Sequence, residues 1–175
     1  MIVPLMEEDA EKNLVINSGT KNFNITDNPD WLVKPLSKED YYAVKALCTE
    51  SFPVKYPESF YEDVVEGRFI AFGYFYKDVL TSLMICEIKA ICEYEARDRK
   101  LLSDGNGHAL YILSLAVRGK YRRKGIASAL LSYLLNVIVK ECPHVGVIFL
   151  HAVTYNYGAI KFYKESGFKL HTTLK

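Results

Sequence analysis

Two apolar periods divide the chain into strands and helices. Unbroken or alternating apolar runs of five to nine residues read as strands, and apolar positions three or four apart read as helices. Trp31-Leu32-Val33-Lys34-Pro35-Leu36 predicts a first strand, stopped by Pro35. Ser37-Lys38-Glu39-Asp40 then offers a helix start, with Ser37 as cap and Asp40 in the reciprocal acidic position. Val44, Leu47 and Cys48 continue it on one apolar face. Phe52-Pro53-Val54-Lys55-Tyr56-Pro57 breaks that helix, because its two prolines hold the loop extended and stiff. Ser59 is the candidate cap of a second short helix that ends before Gly67. Residues 68–76, RFIAFGYFY, and 79–88 read as antiparallel strands joined by a tight turn at Lys77-Asp78. Residues 89–107 are charged and close with Asp104-Gly105-Asn106-Gly107, a loop signal.

The second half carries a different rhythm. Residues 110–117, LYILSLAV, predict a central strand, followed by a basic turn of Arg118, Gly119, Lys120, Tyr121, Arg122, Arg123 and Lys124. Ile126, Leu130, Leu134, Val137 and Ile138 then repeat at helical spacing, so a helix spans 124–141 until Cys142-Pro143 stops it. The apolar run 145–153, VGVIFLHAV, reads as a buried strand. A helix joins it to the central strand, which implies a parallel pair with a right-handed crossover. A helix over 156–165, ended by Gly167, and a last strand over 168–174 complete the pattern. Strands interleaved with helices in this order predict an α/β (α+β) domain over 29–175. Residues 1–28, acidic and then polar with weak apolar pairs, read as a flexible N-terminal arm.

Composition narrows the function classes. The 175 residues are 50% hydrophobic and 25% charged with a net charge of +1, the profile of a soluble globular domain with no global pull toward nucleic acid. Cys48, Cys86, Cys92 and Cys142 form no C-x-x-C pair and predict packed, reduced thiols in a cytoplasmic protein, with no metal. Glu7, Glu8 and Asp9 leave no basic start for a signal peptide, and no apolar run reaches a membrane span.

The chemistry gathers at the junction of the central strand and its helix. Gly125 and Ala127 bring little bulk to a helix mouth, where unpaired N–H groups and the helix dipole favour an anion. A pyrophosphate fits that description. The basic turn alone also suits a solvated face or a nucleic-acid patch; the small residues at the mouth favour phosphate. Strand, Arg122-x-x-Gly125-x-Ala127 and helix together resemble the acetyl-CoA motif of the GNAT acetyltransferases. Asn156-x-x-Ala159-x-x-Phe162-Tyr163 is similar to the helix that follows in that family. FPVKYPESFYEDV at 52–64, LYILSL at 110–115 and FLHAVTYN at 149–156 resemble the N-terminal acetyltransferases, NatF-like members first and NatE-like members next.

The resemblance implies a GNAT fold: a mixed, mostly antiparallel sheet with a splayed central parallel pair flanked by helices. It also implies that the family's last strand, which inserts beside the strand holding His151, is missing here. Backbone groups of Leu115, Ala116 and Val117 would hold the pantetheine arm of acetyl-CoA. Arg123, Lys124, Gly125, Ile126, Ala127 and Ser128 would bind its pyrophosphate, with Asn156 and Tyr163 near its sulfur. Tyr111 and His151 would be the catalytic pair. Phe52, Tyr56 and Leu113, together with His151, would surround the substrate. The implied partners are protein N-termini with an apolar first residue such as Met, not nucleic acid. The implied location is the cytoplasm or the cytosolic face of the Golgi, with no anchor in this chain.

Physical chemistry bears on that reading. A free α-amine titrates near 8 and Lys near 10.4, so a neutral Lys costs roughly 3 kcal/mol more at neutral pH. An imidazole is a sufficient base for the former, and Tyr111, whose own pKa is high, could relay through water. On the residues alone, a lone histidine in an apolar strand such as His151 is more often a bonded core residue than a base, Tyr111 is the same case, and Tyr163 is either packing or a proton donor to the thiolate. Lysine (histone) acetylation and a non-catalytic acetyl-CoA-binding module stay open as alternatives.

Overall fold

Strand β5 (His108–Val117) is apolar apart from His108 and Ser114, because most of its length is covered on both faces. The computed structural model describes residues 11–16, 28–103 and 105–174. Among the described residues seven strands form one sheet: β1 (Glu11–Ile16), β2 (Trp31–Pro35), β3 (Ile70–Tyr76), β4 (Val79–Ala90), β5, β6 (Val145–Val153) and β7 (Lys169–Leu174). Their spatial order is β2-β3-β4-β5-β6-β1-β7. On one face Met84, Cys86, Leu110, Ile112 and Leu115 pack with Leu130 and Leu134 of α3 (Ile126–Tyr133) and its continuation, and with Tyr163 of α4 (Tyr157–Glu165). On the other, Leu83, Ile85 and Ala116 meet Val44 and Leu47 of α1 (Tyr41–Ser51) and Val64 of α2 (Glu58–Val65).

β5 and β6 form the only parallel pair among the described strands. Their pairing begins at His108↔Val145 and ends at Tyr111↔Phe149. Beyond that point both strands run on without each other, and the sheet splays. The fold class read from the sequence, including the splayed parallel pair, is the one the structure has.

The helix start at Ser37 is built as its sequence implies. The Ser37 N–H donates to Asp40 Oδ2 at 2.9 Å and its hydroxyl to the same oxygen at 3.1 Å, while Lys34 Nζ lies 3.2 Å from the carboxylate. Asp40→Ala removes these partners from a buried site and is expected to cost about 1–2 kcal/mol. A lower denaturation midpoint with an unchanged slope in urea checks it.

Other boundaries differ. α2 begins at Glu58 with extended Pro57 as its N-cap, so Ser59 lies inside the first turn and caps nothing. The 124–141 helix starts at Ile126 and loosens into a π-turn over Leu134–Ile138 and a 3-10 turn over Val139–Glu141. There the Asn136 side-chain amide donates to the Ser132 carbonyl at 3.0 Å, the acceptor a regular α-turn gives to the Asn136 backbone. Cys48 and Cys86 are buried, and burial pushes the Cys48 thiol up to about 12. Cys92 is exposed rather than packed.

The largest departure lies in the arm. Residues 11–16, expected to be loose, form β1, inserted between β6 and β7 and antiparallel to both. Leu14 is fully buried there. The place beside β6 that a missing last strand would leave is therefore filled by the chain's own N-terminal segment. The rest of the arm, 1–10 and 17–27, lies outside the described residues.

Candidate active site

The splay leaves the β6-facing edge of β5 without a strand partner past Tyr111. Below that edge lies a cavity of about 450 Å³, lined by Leu115 and Val117 of β5, the turn residues Tyr121, Arg122 and Arg123, the start of α3 and the start of α4. Gly125 is the N-cap of α3 at φ 79°, and no side chain caps it. Its first-turn N–H groups are thus left for an external acceptor, at the positive end of the helix dipole. Arg123 shares the left-handed conformation at φ 63°, which curls the turn further.

The turn's cations have different duties. Arg118 Nε donates to the Leu80 carbonyl at 2.8 Å and its Nη1 to Glu50 at 3.0 Å, which ties it to the scaffold. Arg122 Nε donates to the Val117 carbonyl at 2.9 Å and fixes the turn against the end of β5. Lys120 and Lys124 hold their ammonium groups 4.9 and 5.7 Å from the centre of the Tyr121 ring.

Of the residues implied for a nucleotide cofactor, Leu115, Val117, Arg123, Gly125, Ile126, Ala127, Ser128 and Asn156 line this cavity. Asn156 also caps α4, its Oδ1 accepting from Ala159 N at 3.2 Å. The Ala116 side chain packs in the opposite layer, with α1 and α2. Lys124 lies in the turn but not in the lining, and Tyr163 is fully buried away from it. The Tyr163 hydroxyl has no hydrogen-bond partner among the described residues, and burial raises it well above the ordinary phenol range. Arg122, Ala159 and Phe162, motif residues given no cofactor role of their own, also line the cavity, as do Tyr121 and Gly158.

The face of the sheet away from α3 holds the titratable groups. Tyr111 Oη lies 3.3 Å from His151 Nδ1, and His151 Nε2 lies 3.0 Å from Asp98 Oδ1. His151 is 6% exposed and Asp98 3%, so the pair is shielded from water. A carboxylate accepts only, so it selects the tautomer with the proton on Nε2. Nδ1 then carries a lone pair and accepts from the Tyr111 hydroxyl. The Tyr111 ring stacks on Phe149, with centroids 4.9 Å apart, which orients the hydroxyl. Tyr111, His151, Asp98 and Tyr94 border a second cavity of about 260 Å³.

Asp98 carries no signal in the sequence beyond being one acid in a charged loop. Two bonds fold that loop inward. The Tyr94 hydroxyl donates to the Ala109 carbonyl at 3.1 Å, and Arg99 Nε donates to the Tyr94 carbonyl at 2.8 Å.

Phe52, Tyr56 and Leu113 meet in one apolar cluster on the α1/α2 side. Leu113 occupies the bulge of β5, where Ser114 pairs with Ile85 and Ile112 with Cys86. The Tyr56 ring stacks on Phe60 at 4.1 Å and meets Phe52 edge-on at 6.2 Å. Burial pushes the Tyr56 phenol up to about 12.

The chain matches the acetyltransferase (GNAT) family over residues 27–168. It belongs to that family. Among its relatives, this GNAT protein is 32% identical over 147 residues to N-alpha-acetyltransferase 60 of Xenopus tropicalis, a match covering 81% of this chain and 61% of the relative. The chain thus spans about six tenths of that relative's length. The crystal structure of Arabidopsis thaliana NAA60 in complex with a bisubstrate analogue superposes with a TM-score of 0.71 at 27% identity, covering 81% of this chain and 85% of that one. The same Arabidopsis protein in complex with acetyl-CoA gives a TM-score of 0.68 at 26% identity, covering 81% and 86%. Among the described residues of the GNAT domain, no helix is long and apolar enough to cross a membrane.

Proposed function

We propose that this GNAT protein transfers the acetyl group of acetyl-CoA to the α-amino group of protein N-termini whose first residue is apolar, such as Met. The observation that carries the reading is the Asp98–His151–Tyr111 array at the splay, on the sheet face opposite the uncapped start of α3. The similarity to an N-alpha-acetyltransferase and to a plant relative solved with acetyl-CoA supports it.

The residues present suit that cofactor. The N–H groups past Gly125 and the Arg123 side chain match a pyrophosphate, and Leu115, Val117, Ile126 and Phe162 offer an apolar wall to the pantetheine. Beyond the cavity-lining residues, Lys124 would add charge at the turn, the Ala116 backbone would continue the β5 edge, and Tyr163 would act as a packed support. When bound, acetyl-CoA supplies the thioester that carries the acetyl group. An N-terminal ammonium arriving at Tyr111 must first lose a proton. The Tyr111 hydroxyl accepts that proton as its own passes to His151 Nδ1, and Asp98 stabilises the imidazolium that forms. Phe52, Tyr56 and Leu113 would receive the first side chain. A cytoplasmic setting suits the four free cysteines.

The test is incubation of the protein with acetyl-CoA and a Met-starting peptide, either free or N-blocked and containing an internal Lys. A mass gain of one acetyl group on the free peptide alone is the expected result. Equal labelling of the two overturns N-terminal selectivity in favour of lysine acetylation.

A further inference from the structure

His151 lies on a segment of β6 that β5 does not hold. β5 pairs with β6 only as far as Phe149, so the β5 ladder stops before residues 150–153. On the other side β1 pairs with β6 from Ile16↔Ile148 to Glu11↔Val153, with Asn13 opposite His151. β7 pairs with β1 and not with β6. Among the described strands, β1 is therefore the sole neighbour of the stretch that carries the histidine.

That stretch is buried: Leu150 is 0%, Ala152 1% and Val153 2% exposed. Buried backbone polar groups need partners, and here the strand ladder that supplies them comes from β1. Leu14 pairs with Leu150 in register, is itself 0% exposed, and belongs to the same core layer. The Tyr111–His151 contact, at 3.3 Å, sits at the long end of the hydrogen-bond range. A shift of β6 by a few tenths of an ångström breaks it.

We propose that β1 is a positioning strand of the active site: residues 11–16, anchored by Leu14, hold β6 so that His151 stays in line with Tyr111 and Asp98. The inference rests on the acetyl-transfer reading for its kinetic consequence, but its structural core does not. It also extends the working part of the chain to a segment that lies outside the 27–168 family match.

The experiment compares Leu14→Asp and Leu14→Ile in the full chain. Four quantities are read: hydrogen exchange at 149–153, the ¹⁵N signals of the His151 ring, acetyl-CoA affinity, and kcat and KM for the Met-starting peptide. In Leu14→Asp, exchange at 150–153 is expected to quicken about tenfold or more, with the ring signals shifted. Its kcat should fall about a hundredfold, the scale of a misplaced catalytic group, while acetyl-CoA affinity is kept. Leu14→Ile, which preserves the anchor, should restore both exchange and kcat. Unchanged exchange at 150–153 in Leu14→Asp overturns the holding role. Faster exchange with wild-type kcat and ring signals overturns the positioning role. Should Leu14→Asp fail to fold, Asn13→Pro, which disturbs the ladder opposite His151 but keeps the anchor, is judged by the same outcomes. If the unaltered protein acetylates no peptide, the functional reading fails, while exchange and ring signals still decide whether β1 holds His151.

Discussion

A Gly125→Glu protein is expected to lose at least about a hundredfold in acetyl-CoA affinity while remaining folded. Two effects separate cleanly at this position. The first is backbone strain, since φ is 79° and a side chain in that conformation costs about 1–2 kcal/mol. The second is charge. No protein atom lies within 4 Å of a Cβ built at Gly125, so a new side chain has open space in which to extend. A carboxylate there takes the first-turn N–H groups for itself, and its interaction with the helix dipole offsets part of the strain. Against a phosphate oxygen about 4 Å away, at an effective dielectric near 20, it contributes about 4 kcal/mol of repulsion. Gly125→Ala carries the strain without the charge and is expected to keep most of the affinity. Titration calorimetry on both variants checks the argument. If the Glu variant binds as the wild type does, the cofactor does not sit at the start of α3.

That prediction draws on the part of the chain most legible in its sequence. An apolar strand, a glycine and a long apolar helical period are local signals, and β5, the turn and α3 follow from them. The stiff FPVKYP loop is legible in the same way, because two prolines fix its conformation without help from elsewhere. Residues whose role depends on distant partners are not. EKNLVI has three polar residues and then three apolar ones, which alone fits a tail as well as a strand. It becomes β1 because β6 and β7, far along the chain, leave a gap its backbone can pair with on both sides. Asp98 reads as one more solvated acid until Tyr94 and Arg99 draw its loop inward. Tyr163 shows the reverse. The family pattern assigns it to the cofactor, while its burial places it in the core layer with Phe168, whose ring centre is 5.2 Å away.

Asp98→Asn is expected to damage turnover about as severely as His151→Ala, although Asp98 touches no reacting atom in the proposed mechanism. With Asp98 ionised, His151 keeps its proton on Nε2 and its lone pair on Nδ1, facing Tyr111. An amide at position 98 can donate to Nε2 instead, which moves the ring proton to Nδ1, so Nδ1 no longer accepts from the Tyr111 hydroxyl. The geometry survives and the proton path does not. Loss of a general base, or of the tautomer it needs, is worth about 10²–10⁴ in kcat. Tyr111→Phe removes the first link and should fall in the same range. All three should leave acetyl-CoA affinity near wild type, because none of these side chains lines the cavity beside α3. The deciding measurement is the double variant of Asp98→Asn with His151→Ala. If the two residues work as one relay, the double variant is no slower than His151→Ala alone. If Asp98 only braces the loop, its loss adds to that of the histidine and the two effects multiply. A multiplied loss would therefore keep Asp98 as scaffold and leave His151 to act without it.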